Sequence, residues 1–147
     1  MKITETHWDA EQALLVTRLQ GVVEATAVEH WVDTLQSTLA RLADNTSFKL
    51  IVDLYGYEPQ TMSAHKAMRT VIPLTLARYG FRTALLDLFE GAELPVAQER
   101  GIQCTAVAHV HHEVDKMTEY EHRLGRATER FFTDYEQAEA WIRTRPR

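Results

Sequence analysis

Three histidines crowd the end of one apolar run: His109, His111 and His112, in IQCTAVAHVHHEVDKM, with Glu113 and Asp115 directly after them. Imidazole exchanges protons near neutral pH and ligates transition metals. A nearby carboxylate orients such a ring or completes a metal shell. If the run is a strand, His109 and His111 share one side and His112 turns away. The segment HVHHEVD is superficially similar to the HxHxDH motif of metallo-hydrolases. It departs where that motif needs its aspartate and its last histidine. The expectation is a polar crevice bordered by at least His109 or His111, holding no obligatory metal and no other cofactor. Asp115 and His112 belong to the same candidate crevice. His65, Lys66 and Arg69 join it if the helix start near residue 63 abuts the strand end. The plainer reading makes His109 a packed strand-end residue, His111 and His112 turn residues, and Glu113 or Asp115 a helix cap.

Other chemistry is poorly represented. GYEPQT lacks the lysine of a P-loop and the repeated glycines of a dinucleotide fingerprint. No serine-hydrolase elbow is present. The single cysteine, Cys104, lies in an apolar strand-like run, where it reads as a core residue rather than a nucleophile. No catalytic residue is assigned.

The elements that must position the histidines follow from periodicity. Lys2–His7 and Ala13–Leu19 read as a strand hairpin around a polar turn at Asp9–Gln12, with Gly21 as its exit. Thr26 and Glu29 have capping-box spacing. Val28, Trp31, Val32, Leu35, Leu39 and Leu42 then recur at helical intervals, so a helix is predicted near 27–43. Phe48–Leu54, FKLIVDL, suits a strand covered on both faces. GYEPQ reads as a turn. A helix over 63–78 turns Ala64, Met68, Val71 and Ile72 inward, and Pro73 predicts a kink or two abutting helices. Gly80 is its expected cap. Arg82–Phe89 reads as a further apolar segment in the strand order, followed by one or two helical turns in PVAQERG. Ile102–Val110 is a buried strand, Asp115–Leu124 an amphipathic helix, and Arg130–Thr133 a short edge strand. Thr133 and Glu136 repeat the capping-box spacing before a last helix. Strands alternating with helices predict an α/β fold: a mixed, mostly parallel sheet of about five strands flanked by helices.

The chain has 147 residues, 45 % of them apolar, and a net charge of -5. That composition suits one folded domain over 1–147 and excludes global disorder. One cysteine cannot make an internal disulfide. The first 60 residues hold nine acidic and four basic side chains. With no concentrated basic stretch, no nucleic-acid partner is expected. No run approaches the ~18 apolar residues of a membrane span, and the N-terminus lacks the apolar core of a signal peptide. The expected location is the cytoplasm.

Four stretches carry a family resemblance: IVDLYGYEPQTMSAHKAM at 51–68, YGFRTALLDLF at 79–89, AVAHVHHEVDKMTEYE at 106–121 and ERFFTD at 129–134. With the element order, they make the chain similar to the SpoIIAA-like bacterial family, whose fold is STAS-like. The resemblance spans nearly the whole chain. It implies that Asp53 matches the strand-end aspartate of the anti-sigma-factor antagonists, and that Ser63 approximates their phosphorylatable serine. LYGYEPQTMS departs from their switch sequence, and the plainer reading of Ser63 is an N-cap. The implied function is a non-enzymatic regulatory or binding domain for a protein partner or an apolar small molecule, with a homodimer as its expected assembly. The alternatives are a small histidine/carboxylate enzyme or metal-binding protein, and an intracellular lipid-responsive protein. An apolar cavity under the 63–78 helix favours the last of these.

Overall fold

Hydrophobicity on both sides of the central strands sets the architecture. In β3 (Ser47–Asp53), Phe48, Leu50 and Val52 pack with one apolar cluster, while Ile51 packs with another on the opposite face. A strand buried on two faces needs helices above and below it. The computed structural model, which describes residues 2–89, 91 and 93–147, supplies them. Glu90 and Ala92 lie outside that description, next to the expected 82–89 segment.

The fold is α/β. Strands β1 (Ile3–Asp9) and β2 (Leu14–Val23) form the antiparallel hairpin; β5 (Gln103–Val110) and β6 (Glu129–Phe132) complete the row β1-β2-β3-β5-β6. Every pairing after the hairpin is parallel. Helix α1 (Ala25–Ala40) buries Trp31, Leu35 and Leu39 in the larger cluster, together with Met68 of α2 (Met62–Arg69) and Ile72 and Leu76 of α3 (Val71–Arg78). On the other face, Ala138 and Ile142 of α5 (Tyr135–Arg143) cover Val16, Ile51 and Ala108. Helix α4 (Val114–Leu124) packs beside β6. Among the described residues, no helix is long and apolar enough to cross a membrane.

Several local expectations are corrected. Tyr57–Pro59, expected as turn, forms β4 and pairs with the end of β2, which makes six strands among the described residues, in keeping with the expected sheet of about five. Strand β2 therefore runs through Gly21 rather than ending there, and the Gly21 N–H donates to the Gly56 carbonyl at 3.0 Å. Helix α1 begins before Thr26: the Glu24 carbonyl already accepts from the Ala27 and Val28 amides, so no capping box forms. Asp134, not Thr133, caps α5 by accepting from the Glu136 N–H at 2.8 Å.

Arg82–Phe89 is not a strand. Ala84–Leu88 is a 3-10 turn, capped when Thr83 Oγ1 accepts from the Leu85 N–H. The break at Pro73 takes the two-helix form, with α2 and α3 abutting at Thr70. Proline occupies the first turn of α3, where it removes no helical hydrogen bond. Gly80, at φ +78°, follows the last turn in the left-handed conformation that ends helices.

Candidate functional site

Period-two alternation aims Val107 and His109 of β5 at the same face of the sheet, beneath α2 and α3. In the parallel register His109 lies between Val52 of β3 and Phe131 of β6. The His109 and Phe131 rings stack at 4.6 Å with 9° between their planes. That stacking fixes the imidazole plane.

Its edge is fixed by Glu129, the first residue of β6 and fully buried. Glu129 Oε2 lies 2.7 Å from His109 Nε2 and accepts from Thr83 Oγ1 at 2.6 Å. Glu129 Oε1 accepts from the Ala84 N–H at 2.8 Å and from Arg126 Nη2 at 3.2 Å. Burial by itself would raise this carboxyl. The hydrogen bond and charge of His109, with the Ala84 and Thr83 donors, outweigh burial and hold it below the usual carboxylate range. An ionised Glu129 only accepts, so the proton of this contact belongs to His109 Nε2.

His111 and His112 are held differently. His111 Nδ1 accepts from the Glu113 N–H at 3.1 Å, and His112 Nδ1 accepts from the Gly56 N–H at 2.9 Å. The two rings stack at 4.4 Å. Burial, then the charges of Lys116 and His112, push the His111 imidazole down to about 4. His65 is pushed down as well, by burial and then by Lys116 and Arg69. Its Nδ1 lies 3.3 Å from the Tyr57 hydroxyl, which burial raises to about 12.

A cavity of about 480 Å³ opens in front of His109. Helices α2 and α3 roof it with Met68, Arg69, Ile72 and Pro73. The 3-10 turn and its exit supply Leu85, Leu88 and Phe89. Helix α4 closes the remaining side with Lys116, Met117, Glu119, Tyr120 and Arg123. A second hollow of about 890 Å³, between residues 56–62 and the 111–113 turn, shares His65, His111 and Lys116 with the first.

The structure thus brings His109, His111, His65 and Arg69 to one cavity and places His112 at its neighbour. Lys66 and Asp115 line neither hollow and are exposed. On α2 His65, Met68 and Arg69, at helical spacing, face the cavity, and Lys66 is rotated about 100° past His65. On α4 the cavity side begins at Lys116, which leaves Asp115 outward. Ser63 does not cap α2. Thr61 does, accepting from the Ala64 N–H at 3.0 Å, and Ser63 is exposed within the first turn. Glu113 occupies the cap position of α4 without a side-chain cap bond. Asp53 pairs with Arg18 Nε at 3.1 Å, and Cys104 is fully buried with its thiol pushed up by burial. Among the described residues, no three His, Cys, Asp or Glu side chains are grouped to hold a metal.

Glu129 and Thr83 were not anticipated. Glu129 lies 20 residues from His109 on a separate strand, and no local motif links them. The one sequence signal is a carboxylate immediately before the predicted edge strand. In comparisons with protein-family models, curated proteins and solved structures, nothing matches this chain.

Proposed function

We propose that this chain is a non-enzymatic binding domain that takes an apolar-bodied small molecule into the cavity beneath α2 and α3. The observation that carries this reading is the cavity wall. Its volume lies within the range of small-molecule sites. Leu85, Leu88 and Tyr120 are only partly buried there, and Phe89 is exposed, so apolar surface is left for a ligand to cover. The SpoIIAA-like resemblance supports the same class of role, a regulatory domain whose ligand state is read by another protein. In that role Ser63 is an accessible phosphorylation site, and the domain acts as a cytoplasmic homodimer. Sedimentation at micromolar concentrations that finds only single chains would remove the dimer. A lipid-responsive protein, the alternative that an apolar cavity at this place favours, is the special case in which the apolar body is an acyl chain.

The test is titration with 4-octylphenol, followed by tryptophan fluorescence and by native mass spectrometry. One-to-one binding is expected in the wild type. Leu85→Trp, at a half-buried lining position, fills the cavity and should abolish binding while the protein stays folded. Binding that survives this substitution would place the ligand elsewhere. A second reading, a small histidine/carboxylate enzyme, draws support from the His109–Glu129 contact, since an imidazole held this way suits proton transfer.

A further inference from the structure

Of the six ring nitrogens of His111, His112 and His109, three are engaged at hydrogen-bond distance and three are left: His112 Nε2 on an exposed residue, His111 Nε2 at 3.6 Å from the exposed Glu113 carboxylate, and His109 Nδ1. His111 and His112 spend Nδ1 on backbone amides. His109 spends Nε2 on Glu129. For His109 Nδ1, the described residues offer no partner. They also contain no fully buried side-chain nitrogen or oxygen without one. His109 Nδ1 therefore keeps contact with open space, although the residue is only 8 % exposed. The space that His109 borders is the cavity. With the plane set by Phe131 and the edge by Glu129, the ring cannot turn this nitrogen away.

We propose that His109 Nδ1 is the polar anchor of the cavity, accepting a hydrogen bond from the hydroxyl of an alcohol or phenol on an otherwise apolar ligand. This rests on the cavity being the binding site. In its neutral form the ring keeps its one proton on Nε2, facing Glu129, and presents a lone pair at Nδ1, which calls for a donor. A ligand carboxylate is disfavoured at this depth. The Glu129 anion already lies on the far edge of the same ring, and the sheet neighbours Val52 and Phe131 are apolar. The cationic side chains Arg69, Lys116 and Arg123 are exposed or half-exposed and belong to the mouth.

Glu129 is then a positioning residue whose charge selects the tautomer. Glu129→Gln should reverse that choice. The Ala84 N–H can only donate, so the Gln oxygen must take the position facing it, and the Gln NH2 faces Thr83 and His109. The Thr83 hydroxyl can rotate to accept. His109 accepts through Nε2 only by moving its proton to Nδ1, which turns the anchor from acceptor to donor.

The experiment compares 4-octylphenol with 4-octylanisole, the same body with the O–H donor methylated. Wild-type protein should prefer the phenol by about tenfold, the worth of one buried hydrogen bond. The preference should fall to about twofold or less in His109→Phe and in Glu129→Gln. Histidine nitrogen NMR should show the proton on Nε2 in the wild type and on Nδ1 in Glu129→Gln, and phenol should shift the His109 Nδ1 resonance. The NMR and Glu129→Gln measurements carry the test if His109→Phe does not fold. Equal binding of both probes to the wild type would overturn the anchor alone. So would a phenol preference that persists in either variant. Dodecanoate binding more tightly than the phenol would overturn the ligand class. Absence of binding by either probe would overturn the cavity reading, and the anchor with it.

Discussion

His109 and His111 stand two residues apart, on the same side of the chain, and each is 8 % exposed. Their environments are nonetheless opposite. His109 meets a buried carboxylate that the fold has gathered from another strand. His111 meets a backbone amide two residues away, with Lys116 and His112 nearby, and the one carboxylate beside it, Glu113 at 3.6 Å from Nε2, is exposed to solvent. The first arrangement supplies negative charge to the proton-bearing nitrogen and leaves the other nitrogen open. The second engages the lone pair and penalises protonation. Burial alone therefore says little about what a histidine does. The partner of each nitrogen decides it.

The largest expected effect comes from removing the carboxylate. Glu129→Ala leaves His109 Nε2, Thr83, the Ala84 amide and Arg126 without their shared acceptor, and should cost about 3–5 kcal/mol in denaturant unfolding. A loss below about 1 kcal/mol would mean that the two histidine environments differ in geometry but not in energy.

Next in size is the pH response of the other histidine. The folded His111 ring resists its proton down to about 4, while its ordinary value is 6.5. Between these values the unfolded chain binds more protons, so stability should fall as pH drops through the window, by at most about 3 kcal/mol. His65 acts in the same direction. The Glu129 contribution sits lower. Its carboxyl is held below the ordinary 4.5, so its stabilisation is complete above that pH and is lost as the pH falls further. Urea midpoints from pH 7 to 3 should resolve both windows. His111→Asn keeps an acceptor for the Glu113 amide and should flatten the upper window only. A profile unchanged by that substitution would break the contrast.

The smallest effect is expected at His112. Its ring is exposed, and the Gly56 amide that it accepts from is also near solvent. His112→Ala should cost less than about 1 kcal/mol, because water replaces the lost acceptor. A larger loss would show that the 54–57 segment depends on this contact for its path.

Much of the positioning framework was legible from residue order. The alternation in IQCTAVAHV, continued one residue past the run, placed His109 and His111 on a shared side. Helical spacing in 63–78, with Pro73, yielded two abutting helices, and their inward residues Ala64, Met68 and Ile72 are buried. Cap positions were less legible. Thr26, Ser63 and Thr133 each have a suitable side chain, but Glu24, Thr61 and Asp134 occupy the cap positions. Hydroxyl and carboxylate side chains cluster at helix starts, and a shift of one or two residues changes which one meets a free amide.

Local pattern determined the longer strands, the helices and their apolar faces, because each depends on residues within a few positions of one another; β4, expected as turn, exists only through its pairing with β2. It also determined which histidines could share a side. Tertiary structure alone decided that Arg82–Phe89 would coil into a 3-10 turn, since the Ala84 amide finds the Glu129 carboxylate 45 residues away. It decided equally that His109 would meet Glu129. That contact requires β5 and β6 to pair in a register setting Val107 against Glu129 and His109 against Phe131. Once the carboxylate is sealed from water, it needs donors on both oxygens. The groups that satisfy it come from three separate stretches of chain, and no periodicity within any one of them specifies the others.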